Sequence, residues 1–264
     1  MKKLVWFVVF AIFTVECATE DFKPGSEEQC KVGRYVFAQE NGTDRGYEIS
    51  YVQNTFTRVE VAVDQIFKNG QWLVNDTYRH IYSNDSIYIK EFNGFREGAT
   101  LLSGLYKDKI QEVTTNIADN GGVYRFRFDY STTQRIAVTL EKVVGNSSEF
   151  DSRAVYYINN KADVERVEIF KNPDKYNGPN DFTYRDIKFT YDEIQNPIRD
   201  LVISHFFKAE LPDVTYFSMH NRLEETYDGT TRKYTYEYGT DPMPKKVTTP
   251  DGVTLKFEYP NCTN

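Results

Sequence analysis

Hydrophobic and polar residues alternate along much of this chain, and four stretches do so strictly. They are Phe126-Arg127-Phe128-Asp129-Tyr130, Ile187-Lys188-Phe189-Thr190-Tyr191, Tyr234-Thr235-Tyr236-Glu237-Tyr238 and Leu255-Lys256-Phe257-Glu258-Tyr259. A strand sends successive side chains to opposite faces, so each stretch predicts a strand with one greasy face and one wet face. Val59, Val61 and Val63 alternate too, as do Ile87 and Ile89. Further strands are predicted at Tyr47 to Tyr51, Thr57 to Phe67, Thr77 to Tyr82, Ile87 to Phe92, Ile110 to Ile117, Ile136 to Val143, Arg153 to Ile158 and Val164 to Phe170. Turn signals fall between these runs at Asn41-Gly42, Asn69-Gly70, Asn93-Gly94, Asn120-Gly121-Gly122, Asp228-Gly229 and Asp251-Gly252. Such pairs supply the positive φ that tight hairpins need. The expected fold is therefore all-β. It is an antiparallel meander of many hairpins whose sheet curves into a half-barrel, a barrel or a sandwich to shelter its aromatic face. Leu201 to Glu210, which ends at Leu211-Pro212, is the one stretch with a helical face, a strand being the alternative.

Composition agrees with the pattern. Aromatics make up 16% of the 264 residues, with 20 Tyr and 19 Phe against 3 Met, a balance suited to pleated surfaces. The net charge is -7 and no basic block interrupts the chain, so nucleic acid is not an expected partner.

The first residues read as an export signal over residues 1–17. Lys2 and Lys3 precede an apolar run from Leu4 to Val15, too short to span a bilayer. Cys17 follows that run and is the candidate lipidation site, which would anchor the chain to a membrane. Cleavage after Cys17, releasing a soluble secreted or periplasmic protein, is the alternative. Residues 18–29 are polar, carry Pro24, Gly25 and Ser26, and read as a tether. From residue 30 to 264 no linker separates domains, so a single β domain is expected. Cys30 and Cys262 lie at its two ends and form a possible disulfide in an oxidising compartment, two separate thiols being the other reading.

The second half repeats a loose unit of aromatic strand, turn, basic residue and second strand. Tyr191-Asp192 with Asn196-Pro197, and Tyr236-Glu237-Tyr238 with Pro244-Lys245-Lys246 and Asp251-Gly252, carry it. In these motifs, over about residues 125 to 260, the chain resembles the YD-repeat-like (RHS-like) β domains of exported Bacteroidetes lipoproteins of unknown function. Ala18-Thr19-Glu20-Asp21 after Cys17 likewise resembles the surface-export signal of such lipoproteins. The resemblance implies an exported, lipid-anchored protein at the outer membrane or cell surface with an antiparallel meander, and it supplies no catalytic residues. The basic residue after each turn, such as Arg135, Arg199 and Lys246, is expected to pair with a carboxylate on the wet face.

Catalytic signatures are missing from the sequence. His80, His205 and His220 are its only histidines, with no metal-ligand spacing among them; His80 falls in a strand and His220 in a turn before Asn221. Neither hydrolase-elbow nor phosphate-loop motifs occur. A glycosidase pair among Glu60, Asp64, Asp129, Glu165 and Glu168 would need two carboxylates on facing walls, which sequence does not display. The segment Asn172 to Asp181 is oxygen-rich and reads as a plain loop or a calcium loop of irregular spacing. No cofactor, metal or catalytic residue is assigned. Trp72, just past a turn, and Tyr176, in that loop, are the candidates for stacking on a sugar ring, although for Trp72 packing inward like its strand neighbours is the favoured reading. The expected function is a non-catalytic envelope or surface lipoprotein with a binding or structural role and a glycan or protein partner. A carboxylate-pair carbohydrate hydrolase and a hydrophobic-ligand carrier are the alternatives.

Overall fold

The computed structural model describes residues 33–38, 44–51, 59–82, 86–93, 96–103, 111–117, 122–176, 178, 181–199, 210–239 and 243–259. Their strands are Arg34–Ala38 (β1), Arg45–Tyr51 (β2), Val59–Lys68 (β3), Gln71–Tyr82 (β4), Ser86–Asn93 (β5), Arg96–Ser103 (β6), Glu112–Ile117 (β7), Gly122–Thr132 (β8) and Arg135–Val144 (β9). They continue as Ser147–Ile158 (β10), Val164–Lys171 (β11), Tyr184–Gln195 (β12), His220–Tyr227 (β13), Thr230–Lys233 (β14), Thr235–Tyr238 (β15), Pro244–Thr248 (β16) and Thr254–Glu258 (β17). A 3-10 turn at Val214–Tyr216 lies between β12 and β13.

All 17 strands belong to one sheet, and every ladder in it is antiparallel between consecutive strands except one. That one joins β1 to β17, while β1 also pairs with β2, so the first and last strands lie side by side. Among the described residues no ladder joins β14 to β15, and the sheet is not a closed barrel. The chain runs from one to the other through Tyr234, whose amide donates to the Leu223 carbonyl of β13 at 2.8 Å. The expected meander is therefore the observed fold.

Of the predicted Asn-Gly and Asp-Gly turns, those at Asn69-Gly70, Asp228-Gly229 and Asp251-Gly252 form, while Asn41-Gly42, Gly94 and Asn120-Gly121 lie outside the described residues. Asn69 and Gly70 adopt φ of 53° and 77°, and Asp228 and Gly229 adopt 51° and 74°, which are type I′ values matched to strand twist. A further hairpin tip at Gly145, φ 60°, carries no dipeptide signal strong enough to have been singled out.

The aromatic alternation holds. Phe126 and Phe128 are buried while Arg127 between them and Asp129 after them are exposed, and Phe189 and Phe257 are buried between exposed neighbours. Directly opposite residues of an antiparallel pair share a face. Inward rows therefore run Phe126–Leu140–Ser152–Lys171 and Phe128–Val138–Ala154–Ile169–Arg185 across β8 to β12. The core gathers on this face around Tyr47, Tyr78, Val113, Phe126, Leu140, Tyr156, Val167 and Phe189. Each fully buried side chain of this size is worth about 1.5–3 kcal/mol.

The opposite face is charged. Glu112 lies within 3.7 Å of Arg125 and 3.6 Å of Arg127, which also reaches Glu141. Arg166 holds Asp186 through two bonds of 2.8 and 3.0 Å and Glu168 at 2.8 Å. Lys246 pairs with Glu237 at 2.5 Å, as expected of the basic residue after a turn.

Buried polar side chains fasten β12 and β13 to the turns beside them. Asp163 accepts the His220 amide and lies against His220 Nδ1, both at 2.8 Å. Asn196 donates to the Thr215 and Ser218 carbonyls. Asn221 donates to the Ile194 carbonyl at 3.1 Å and to Asp192, which also accepts from the Tyr238 hydroxyl.

Three expectations need correction or fall elsewhere. His220 opens β13 instead of sitting in a turn, because Asp163 fixes both its amide and its ring. Phe170 and Tyr184 are 39% and 49% exposed on the charged face, since each is an odd number of positions from its inward neighbour Ile169 or Ile187. Residues 201–209 of the predicted helix lie outside the described residues.

Candidate functional site

The inward rows of β10 to β12 end on cations instead of hydrophobic residues. Lys171 is opposite Ser152 and Arg185 opposite Ile169, so both leave the sheet on the side of the core, where the core stops. A short turn follows Lys171. The Asn172 side chain accepts the Asp174 amide at 3.0 Å and donates to the Phe150 carbonyl at 2.9 Å, while its carbonyl receives the Tyr176 amide at 3.0 Å. This Asx turn brings Tyr176 back over its own strand. The hydroxyl of Tyr176 then donates to Asp151 at 3.1 Å. Asp151 is the extra residue of a bulge in β10 between Phe150 and Ser152, and Lys175 lies 3.5 Å from it.

The result is a cluster of two cations and three rings. Lys171 Nζ lies 4.3 Å from the Tyr176 ring centroid and 4.4 Å from that of Phe182. Arg185 Cζ lies 3.8 Å from the Phe182 centroid and 4.7 Å from that of Tyr227. A cation over a ring gains about 0.5–1 kcal/mol in exposed settings and more when desolvated. Among the described residues neither cation has a carboxylate partner, although Asp and Glu number 39 against 32 Lys and Arg in the chain. Arg166, Arg222, Arg45, Lys161 and Lys246 all have one. Burial, and then the charge of Asp151, push the Tyr176 hydroxyl up to about 12, so it remains a donor at neutral pH. Half-exposed rings, two cations and a fixed hydroxyl together form a surface suited to an anion carried on a flat apolar body.

No protein-family model matches the chain, and no curated relative matches it. By fold it is similar to a porin-like protein from Bacteroides uniformis, at TM-score 0.59 and 11% identity over 86% of this chain and 97% of that one. It is also similar to a porin-like protein from Bacteroides vulgatus, at TM-score 0.54 and 12% identity over 88% of this chain and 100% of that one. At such identity the likeness shows a shared all-β fold alone.

The residues singled out in the sequence separate in space. Tyr176 belongs to the cluster. Trp72 does not: it faces Phe67 across the β3–β4 hairpin, with ring centroids 5.2 Å apart, and the Arg34 guanidinium sits 4.3 Å over its ring. Ile66, opposite Arg45, turns toward the core, so Phe67 and Trp72 turn away from it, and the inward packing favoured for Trp72 is not what forms. Cys17, Cys30 and Cys262 lie outside the described residues, as do the side chain of Glu60 and His205. Asp64 is fully buried and bound by Arg45 and Asn75. Glu168 accepts from Tyr184 and Tyr157 as well as Arg166. Asp129 accepts the Ser131 amide. In the oxygen-rich loop, Asp181 accepts the Gly178 amide, and no group of three metal-ligating side chains occurs among the described residues.

Sequence reading missed Lys171, Phe182, Arg185 and Tyr227. Phe170-Lys171 and Tyr184-Arg185 are each an aromatic followed by a cation at a strand end. That signal was visible, but it also fits an ordinary ion pair on the wet face, which is where such residues were expected.

Proposed function

We propose that the protein is a non-catalytic lipoprotein of the bacterial envelope or cell surface, anchored through Cys17, whose β domain binds a ligand outside the membrane. The observation that carries this reading is the polarity of the sheet. A barrel that spans a bilayer turns an apolar band outward and keeps a polar interior. Here Tyr47, Phe126, Tyr156, Phe189 and Phe257 pack inward and the outer side bears the ion pairs of Glu112, Glu141, Arg166 and Asp186. A domain of this polarity is held at a membrane by an anchor, and acyl chains on a cysteine supply one. The porin-like fold neighbours from Bacteroides and the lipoprotein-like leader support the same setting.

Binding without turnover is favoured because Asp64 and Glu168, two of the five candidate carboxylates, are held by arginine and other side-chain donors. A hydrolase would need two uncommitted carboxylates facing one another. The carrier alternative needs an open interior, whereas Tyr47, Tyr78, Tyr156 and Phe126 are 0–2% exposed within the core.

Palmitate labelling and membrane flotation of the full chain test the anchor. The expected result is a labelled protein that floats with membranes and a Cys17→Ser variant that is unlabelled and soluble. A Cys17→Ser variant that still floats would overturn the anchored reading. Release of reducing sugar from any polysaccharide by the purified chain would overturn the non-catalytic one.

A further inference from the structure

We propose that Lys171, Arg185, Tyr176, Phe182 and Tyr227 form a binding site for an anionic saccharide, one carrying a carboxylate or a sulfate. This rests on the ligand-binding reading above and gives its ligand a chemical class.

Three observations converge on it. The two cations both lie against the Phe182 ring, at 4.4 and 3.8 Å from its centroid, so their charges are at most about 8 Å apart. Like charges at such range repel, and an anion between them removes the repulsion. Neither has a carboxylate partner among the described residues, in a chain whose carboxylates outnumber its cations. The nearby Asp151 does not fill that role: its carboxylate receives the Tyr176 hydroxyl and lies 3.5 Å from Lys175. Finally, the cations come with half-exposed rings of Tyr176, Phe182 and Tyr227. A bare inorganic anion has no use for rings, and a neutral sugar has no use for two cations. A sugar with an acidic substituent uses both, its C–H face lying on a ring and its anion between the ammonium and the guanidinium.

The cluster is also well placed for an extended ligand. It lies where the inward rows of β10 to β12 run out, beside the Asn172 turn, and Tyr227 adds the end of β13.

Isothermal titration of the full chain, isolated from membranes in mild detergent, tests the site with three probes of matched length. They are an oligogalacturonate, a heparin-derived oligosaccharide and a neutral cello-oligosaccharide. At least one acidic probe is expected to bind more tightly than the neutral one, with affinity falling as salt is raised. A response to oligogalacturonate alone assigns a uronic acid, and a response to the heparin fragment alone assigns a sulfate ester. Lys171→Met and Arg185→Gln should each weaken binding about tenfold, the usual effect of losing one hydrogen bond to a charged group. Lys171→Arg and Arg185→Lys should retain it, which separates loss of charge from loss of fold. The proposal is overturned if neither acidic probe binds, if the neutral probe binds as tightly, or if Lys171→Met and Arg185→Gln bind like the parent. Absence of binding with palmitate labelling intact would remove this site and leave the anchored reading. Binding by an unlabelled, soluble chain would do the reverse.

Discussion

The pairing of the two terminal strands turns the relation between Cys30 and Cys262 into a test. Arg34 lies opposite Glu258 in the β1–β17 ladder. Cys30 is four positions before Arg34 and Cys262 four positions after Glu258, so only short stretches of chain separate the two cysteines from the paired strand ends. Four residues reach at most about 13–14 Å, so two such stretches from adjacent strand ends are long enough for the Cα separation of about 4.4–6.8 Å that a disulfide needs. A bridge here would close a loop of about 230 residues. Chain entropy for such a loop gives about 5 kcal/mol as an upper figure, or roughly 10–20 °C in melting temperature for a domain of this size. The measurement is a thermal melt of the oxidised full chain beside the same chain under reductant and beside the Cys30→Ser variant. A peptide map without reduction should show the Cys30 and Cys262 peptides joined. Reductant and the substitution should lower the melt by the same amount. Two free thiols in protein isolated under oxidising conditions, or a Cys30→Ser variant that melts with the parent, would refute the bridge.

Three further outcomes follow from buried polar groups. Arg222→Met should cost about 1–3 kcal/mol by urea denaturation, because it removes a cation that bonds both Asp213 and Glu225, while Glu225 keeps Arg232 and the Tyr234 hydroxyl. Asp163→Ala should cost about 2–3 kcal/mol and loosen amide exchange at His220, whose backbone and ring it holds; unchanged exchange at His220 would contradict that role. Alkaline pH should unfold the domain cooperatively. Burial pushes Tyr130 up to about 12 and also raises Tyr156, Tyr191, Tyr234 and Tyr236 above the ordinary value of 10. The folded chain then holds protons that the unfolded chain releases, so stability is complete below pH 10 and falls as pH rises toward 12 and beyond. Tyr130 alone would take off roughly 3 kcal/mol over that window. Tyrosinate absorbance at 295 nm should therefore rise together with loss of circular dichroism; ionisation of all tyrosines near pH 10 with the fold intact would contradict it.

The sheet's polarity bears on how the porin-like likeness is used. Curvature and meander topology are shared by barrels that span membranes and by sheets that stay in water, because both must hide edges. The two differ in which face is apolar, and here Phe126, Phe189 and Phe257 turn inward while Arg127, Lys188 and Lys256 turn out. Topology alone therefore carries no pore function to this chain.

The sequence by itself determined the strands, their greasy faces and most of the turns. Period-two alternation is a local property, and Asn69-Gly70 or Asp228-Gly229 bends the chain whatever lies beyond it. Tyr176 was legible as a candidate because it stands in a loop rich in Asn, Pro and Gly. What it would stand beside was not legible. Lys171, Arg185 and Tyr227 come from three strands, and only the register of β10 to β13 brings them around Phe182. The turn of Trp72 away from the core was likewise a tertiary outcome, since the β3–β4 bulge between Asp64 and Gln65 shifts which positions face inward. Side-chain direction within a strand follows from two neighbouring residues. Which strands become neighbours, in what register and on which side a cation is left without a carboxylate, follows from hydrogen bonds between residues far apart in the chain, and no local pattern encodes those.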